Sequence, residues 1–226
     1  MPEPPSAQPT LTERIEDGRR RPMLVWRRPE PVRTISCGPL GGGLGLRSWV
    51  INATVGASYA RLDPADHLSQ LARDLDLTGD GVGLLTAVDV SQAVTAADGG
   101  VTVTATVGLG HPTWAAAPDG DLRQLAPGTV NLVAWLPVSL TDAGLVNAVA
   151  TATEAKVQAL VEAGIAATGT ASDALCIACP PAGAGSIDPD ACFAGPRSRW
   201  GARLARAVHA AVAGGVVAWT SGGTRG

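Results

Sequence analysis

Lysine is almost missing from this chain: of 17 basic side chains in 226 residues, Lys156 is the single lysine and all the others are arginine. Aromatic residues are also scarce, with one Tyr, one Phe and six Trp. Trp26, Trp49, Trp114, Trp135, Trp200 and Trp219 are spread along the sequence. They read as core or rim residues, with one or two left to stack on a flat ligand. An excess of positive charge is lacking too. A net charge of −3 excludes a nucleic-acid backbone as partner, because that would call for a basic face. Residues 1–22 are polar and proline-rich with no apolar stretch of the kind a signal peptide carries. No apolar run reaches membrane-span length: Ala207–Trp219 is too short and contains His209 and two glycines. On these absences the protein is expected to be cytoplasmic, with its four cysteines reduced.

What is present is enough apolar sequence for a sizeable core. Hydrophobic residues make up 46% and charged residues 16%, which excludes a disordered chain and suits one domain. Residues 1–22 read as a mobile Pro- and Arg-rich leader, and residues 23–220 as the folded domain. Strand-like runs cover Met23–Arg28, Val32–Cys37, Leu46–Val55, Val82–Val88, Val101–Val107, Thr129–Leu136 and Ala174–Cys179. Helices are predicted at Pro64–Leu75, Leu140–Gly164 and Arg197–Ala213, with a short one at Ser91–Ala97. A loop rich in Gly, Pro and Asp separates the last strand from the last helix. Hairpin-like and crossover connections are mixed, so the expected fold is α+β (mixed α/β). It is a single compact domain with a mixed sheet and a few packed helices.

The solitary lysine lies in the longest of these helices. Ser139 or Thr141 is placed to cap its start, Asp142 favours its first turn, and Gly164 suits its end. At about 100° per residue, Leu145, Val149, Ala152, Lys156 and Leu160 form one stripe, flanked by Val146, Val157 and Val161. Asn147, Thr151, Glu154 and Gln158 fall on the other side. A lysine inside an apolar arc is costly unless paired or snorkelling. An ammonium is also a compact point charge with a readily shifted pKa, which a guanidinium is not. Lys156 is therefore a candidate site residue. Glu154, two residues away, cannot share a straight helix face with it, and the pattern alone makes it part of a solvated face.

Other motifs narrow the chemistry. The glycine-rich loop over residues 38–45 sits between strands with no helix opening after it, so it does not read as a phosphate loop. Cys176 and Cys179 have CxxC spacing but fall within one strand, on opposite faces, and do not converge on a metal. Cys37 and Cys192 are far apart in sequence, and His67, His111 and His209 are scattered. No metal site is expected. Three small polar clusters stand at strand ends: Asn52-Ala53-Thr54, Gly128-Thr129-Val130-Asn131, and Thr168-Gly169-Thr170-Ala171-Ser172-Asp173. Each suits either ligand binding or local turn chemistry. With Lys156, Glu154 and Asp89, they supply acids, a cation and hydroxyls, but no Ser-His-Asp signature.

Taken in order, several stretches make the chain resemble a known family. They are "INATV" at 51–55, "GVGLLTAVDV" at 81–90, "VTATVGLG" at 103–110, "GTVN" at 128–131, "TEAKVQAL" at 153–160, "ATGTASDA" at 167–174 and "CFAG" at 192–195. In number and spacing these are similar to the adenosylcobinamide amidohydrolases, from about Thr34 to Val212. The early loop departs from the family, with Ile35-Ser36-Cys37 and Gly41-Gly42-Gly43 where members often carry Ser-Ser-Ala and Asn-Gly-Gly. The resemblance implies hydrolysis of the amide between the aminopropanol arm and the corrin ring of adenosylcobinamide, giving adenosylcobyric acid and 1-amino-2-propanol for cobamide salvage. It implies a corrinoid substrate that carries its own cobalt, and no separate cofactor. It points to Lys156, Glu154, Asp173 and Thr170 as catalytic candidates. Asn52, Asp89, Thr129, Asn131, Thr168 and Ser172 are the candidates for substrate binding. A corrinoid carrier without catalysis is the alternative, and an unrelated metal-dependent hydrolase a third reading. The oligomeric state stays open, a homo-oligomer included.

Overall fold

The computed structural model describes residues 8–118, 128–181, 183 and 192–222. They form one compact α+β domain in which an eight-stranded mixed sheet is covered by three helices. The strands are β1 (Thr10–Glu16), β2 (Arg19–Ser36), β3 (Gly43–Thr54), β4 (Gly81–Thr86), β5 (Val94–Asp98), β6 (Val101–Val107), β7 (Val130–Trp135) and β8 (Ala174–Cys179). The helices are α1 (Pro64–Asp74), α2 (Asp142–Glu162) and α3 (Arg199–Ser221). Strand order is β4-β3-β2-β8-β7-β6-β5, with β1 paired to β2 off this path. Only β3/β4 and β7/β8 are parallel. Those are the pairs joined through α1 and α2, as parallel neighbours need a crossover.

Alternation along the strands sorts the side chains into two faces and three cores. Leu24, Trp26, Val50, Val82, Leu84, Val133, Trp135, Cys176 and Ala178 pack together on one face. On the other face α2 and α3 cover Val103, Ala105, Leu132, Ile177 and Cys179, and α1 covers Val25, Trp49 and Ile51. The first core unites residues of β3 and β4 with residues of β7, although β2 and β8 lie between them in the sheet. The sheet therefore curls until its two halves meet. Cys176 and Cys179 belong to different cores, as their spacing on a strand dictates. No helix among the described residues is long and apolar enough to cross a membrane.

Local chemistry explains the elements that the sequence pattern read differently. The leader expected over residues 1–22 is a hairpin from Thr10 onward. Asp17 and Gly18 have φ of 52° and 70°, and their turn sends β1 back along β2 in register from Thr10↔Val25 to Glu16↔Arg19. Residues 1–7 lie outside the described residues, as does most of the loop expected after β8. The two strands expected at 23–28 and 32–37 are one strand, β2, with a register irregularity between Arg27 and Val32. Pro29 and Pro31 sit there and have no N–H to give the ladder. The short helix expected at Ser91–Ala97 is only a 3-10 turn, Val90–Gln92, followed by β5. Gly99 and Gly100, at φ 54° and 94°, close a β5–β6 hairpin that claims Val94–Asp98 as strand. Helix α3 runs past its expected end at Ala213. Gly214 and Gly215 are packing positions there: a Cβ on Gly214 would stand 2.9 Å from Val94 Cγ1, and one on Gly215 would strike Val107.

Helix α2 starts where the cap predicts, with Thr141 Oγ1 accepting from Gly144 N at 3.0 Å. Its inner face carries Leu145, Ala148, Ala152, Ala155, Lys156, Ala159 and Leu160. Two details differ from the helical-wheel reading. Val146 and Val161 are exposed. Thr151, expected on the solvent side, is buried and donates to Ala194 O at 2.7 Å, tying α2 to the chain entering α3.

Two substitutions test this packing. Thr141→Ala should cost about 1 kcal/mol in denaturant unfolding through loss of the cap. Gly81→Ala, whose Cβ would run into the buried Trp49 ring, should cost about 1–3 kcal/mol by overpacking, with a changed tryptophan emission spectrum.

Candidate active site

The turn between α2 and β8 carries the third polar cluster, and α2 delivers its lysine to it. Lys156 Nζ donates to Asp173 Oδ2 at 2.5 Å, with the two side chains only 11% and 15% exposed. This contact resolves the cost of a lysine on an apolar face, since a buried ammonium needs an opposite charge and hydrogen bonds. The other carboxylate oxygen, Asp173 Oδ1, accepts from Val130 N at 2.9 Å and lies 2.5 Å from Thr170 Oγ1. Thr170 Oγ1 is also 2.7 Å from Gly128 O. The carboxylate thus joins α2, the start of β7 and its own loop. Gly169 is what allows the approach. A Cβ there would lie 2.6 Å from Lys156 Nζ and would collide with Asp173 Oδ2.

Asp173 is also the point at which this cluster reaches open space. A cleft of about 450 Å³ is lined by Cys37, Val55–Ala57, Tyr59, Leu85–Ala87, Gly128, Thr129 and Ala171–Ala174, among others. It sits where β3 and β4 end and β7 and β8 begin, a position that the curl of the sheet creates. Thr129 Oγ1 and Ser172 Oγ are 2.9 Å apart on its wall, and Ser172 Oγ also lies 3.3 Å from Gly128 O. Cys37 Sγ accepts from Leu175 N at 3.3 Å. Lys156 and Thr170 are not in the wall; they stand behind Asp173 and hold it.

Behind the cleft, the curl closes on a polar network. Asn131 Nδ2 donates to Asn52 Oδ1 and to Leu85 O, both at 2.9 Å, and Asn52 Nδ2 donates to Thr106 Oγ1 at 3.1 Å. Both asparagines are almost fully buried. They connect β3, β4, β6 and β7 and so fix the spacing of the strand ends that bear the cleft. Asn131 Oδ1 has no hydrogen-bond partner among the described residues.

The remaining sequence candidates fall elsewhere. Glu154 is exposed on α2, on the far side from Lys156, in keeping with the helix pattern and outside the cleft. Asp89 is exposed and caps the 3-10 turn, accepting from Ser91 N at 2.9 Å and Ser91 Oγ at 2.6 Å. Thr168 stitches two loops together: its Oγ1 accepts from Ala115 N at 2.8 Å, and Thr113 N donates to Gly169 O at 2.8 Å. Among the described residues, no three His, Cys, Asp or Glu side chains gather at one point. Cys176 lies in the inner core, where burial pushes its thiol up to about 12. Sequence reasoning passed over Tyr59 and Cys37 in the cleft wall. The signal for the first was its being the only tyrosine, in a polar loop directly after a strand.

This geometry can be set beside known proteins. An adenosylcobinamide amidohydrolase of Halobacterium salinarum is 45% identical over 109 residues, covering 46% of this chain and 47% of that relative, so this alignment spans about half of either. An adenosylcobinamide amidohydrolase of Methanosarcina mazei is 28% identical over 181 residues, covering 78% of this chain and 86% of that relative. A crystal structure of a Pyrococcus horikoshii OT3 protein superposes with a TM-score of 0.44 at 12% identity, over 88% of this chain and 76% of that one. The model of the adenosylcobinamide amidohydrolase family matches residues 7–224, almost end to end, and the chain belongs to that family.

Proposed function

We propose that this protein hydrolyses the amide joining the aminopropanol arm to the corrin ring of adenosylcobinamide, releasing adenosylcobyric acid and 1-amino-2-propanol for cobamide salvage. The observation that carries this reading is the Asp173 carboxylate in the cleft wall, backed by the buried Lys156 ammonium and flanked by Ser172 and Thr129. Amide hydrolysis needs a polarised carbonyl, an attacking oxygen relieved of a proton, and a proton for the departing nitrogen. The Ser172 and Thr129 hydroxyls are the donors offered to the carbonyl oxygen as it becomes an oxyanion. Asp173 is the polar group that orients the reacting atoms between them. Lys156 and Thr170 act through Asp173 as positioning residues. The cobalt enters with the substrate. The reaction is proposed to draw on no further metal.

Incubation of the purified protein with adenosylcobinamide tests the proposal directly. Release of 1-amino-2-propanol, equal with and without chelator, is the expected result. Corrinoid binding without release would make the protein a carrier, and release abolished by chelator would make it a metal-dependent hydrolase.

Two sets of variants test the site. Lys156→Met and Lys156→Arg should each lower kcat about 100-fold or more, the scale set by losing an electrostatic element of an acyl-transfer site. Arginine fails because its planar fork does not fit the space beside Gly169. Asp173→Asn should lower kcat with KM little changed. Each single change that leaves one charge of the buried pair alone should also cost about 3–5 kcal/mol. The double variant Lys156→Met/Asp173→Asn should therefore melt higher than Lys156→Met while staying inactive.

A further inference from the structure

A second titratable cluster reaches the same cleft from the opposite side. Tyr59 lies in the loop between β3 and α1 and lines both the cleft of Asp173 and a larger neighbouring one of about 1060 Å³. Its hydroxyl is 3.1 Å from His67 Nδ1, and the two rings stack with centroids 5.6 Å apart. His67 is buried in the first turns of α1. Its other nitrogen, Nε2, lies 3.2 Å from Glu16 Oε1 at the end of β1. Glu16 is held in turn by an ion pair with Arg14, whose Nη2 also donates to Thr54 O at 2.8 Å. The chain of contacts runs from the open cleft to a half-buried carboxylate and its arginine: Tyr59, His67, Glu16, Arg14.

The partners dictate where the protons are. A carboxylate offers only lone pairs, so the ring proton of neutral His67 belongs on Nε2, facing Glu16. Nδ1 is then an acceptor, and the Tyr59 hydroxyl donates to it. The phenol oxygen keeps its lone pairs out of that bond, on a residue that lines the cleft. Burial holds His67 below its ordinary pKa; Glu16 and Asp63 oppose this, while Arg61 and Arg14 add to it. Asp17 from the β1–β2 turn, Arg19 and Arg21 from β2 and Asp74 from α1 complete the charged groups lining this side. Burial likewise raises the Tyr59 phenol above its usual value. The resting state is a neutral imidazole beside a neutral phenol, the two states a proton relay requires.

We propose that Tyr59 is a catalytic residue of the hydrolysis, passing protons between the cleft and His67, with Glu16 as the residue that fixes the imidazole. The proposal rests on the amidohydrolase reading above. In the first half, a water oxygen bonds to the amide carbon while one water proton moves to Tyr59 Oη and the phenol proton moves to His67 Nδ1. The imidazolium so formed faces the Glu16 carboxylate. In the second half, His67 returns its proton to Tyr59, Tyr59 delivers its own to the amide nitrogen, and the C–N bond breaks. The net change is one water consumed, one carboxyl group and one free amine formed, with Tyr59 and His67 restored. The logic is that of an oxygen–imidazole–carboxylate triad in which the oxygen carries protons rather than attacking.

The test uses the full chain with adenosylcobinamide. Tyr59→Phe keeps the ring and removes only the hydroxyl, and His67→Gln keeps a polar side chain that takes up no proton. Both are assayed for kcat and KM at a temperature where circular dichroism shows them folded. The relay predicts that each loses kcat about 100-fold or more, the range for removing general acid–base catalysis, while KM stays near the wild-type value. A merely structural tie between β1 and α1 would instead lower the melting temperature and leave kcat in place. Wild-type kcat in folded Tyr59→Phe overturns the relay while leaving the amidohydrolase reading intact. A wild-type protein that releases no 1-amino-2-propanol overturns both.

Discussion

The pairing of one buried ammonium with one half-buried carboxylate is the constraint around which this site is built. Lys156 alone in its helix face would be an uncompensated charge in an apolar wall. Asp173 alone would be a half-buried carboxylate that meets water only on its cleft side. Their contact satisfies both, and it decides several other features. Gly169 must lack a side chain, Thr170 and Val130 N must supply the other oxygen with donors, and the loop after α2 must enter β8 at one fixed place. The pair therefore settles where Ser172 faces the cleft. It does so from behind, since Asp173 lines the cleft and the solitary lysine does not.

The curl of the sheet plays the complementary part. Strand order alone would leave β3 and β4 remote from β7. The curled sheet brings them together over a core that is apolar at one end, around Trp26 and Trp135, and amide-lined at the other, around Asn52 and Asn131. Such a buried amide pair is costly unless its geometry is met, and so it selects one arrangement of four strands. The cleft inherits its shape from that selection. Its walls come from strand ends that approach each other only in the closed form.

Much of this was readable from the sequence. Strands β6 and β8 begin and end where alternation places them, and α2 follows its cap at Thr141. Those are features in which local propensity and burial agree. Lys156 and Asp173 stood out by rarity and context, but their meeting is a matter of how α2 packs, which periodicity does not encode. The misread segments share a cause. Proline in β2, glycine in α3 and Asp-Gly in the first hairpin are punctuation by local rules, and tertiary context decides each: β2 pairs with β3 on both sides of its prolines, Gly214 and Gly215 pack on Val94 and Val107, and the Asp17-Gly18 turn lays β1 along β2. Thr151 looked like a solvent-facing hydroxyl until the chain entering α3 supplied its carbonyl partner. His67 was set aside as one of three scattered histidines; its partners, Tyr59 and Glu16, come from different elements, and only the folded hairpin brings Glu16 within reach.

The scarcity of lysine gives the fold an unusual chemical property. Apart from the chain's terminal amine, Lys156 is the only primary amine in the sequence, and it is buried against Asp173. An acylating reagent in solution therefore meets this side chain only when the loop carrying Asp173 lifts away from α2. Local openings of that kind have their own free energy, distinct from global unfolding. The rate at which Lys156 is acylated becomes a clock for the opening of the wall behind the cleft, read from a single residue with no label introduced and no competing lysine to subtract.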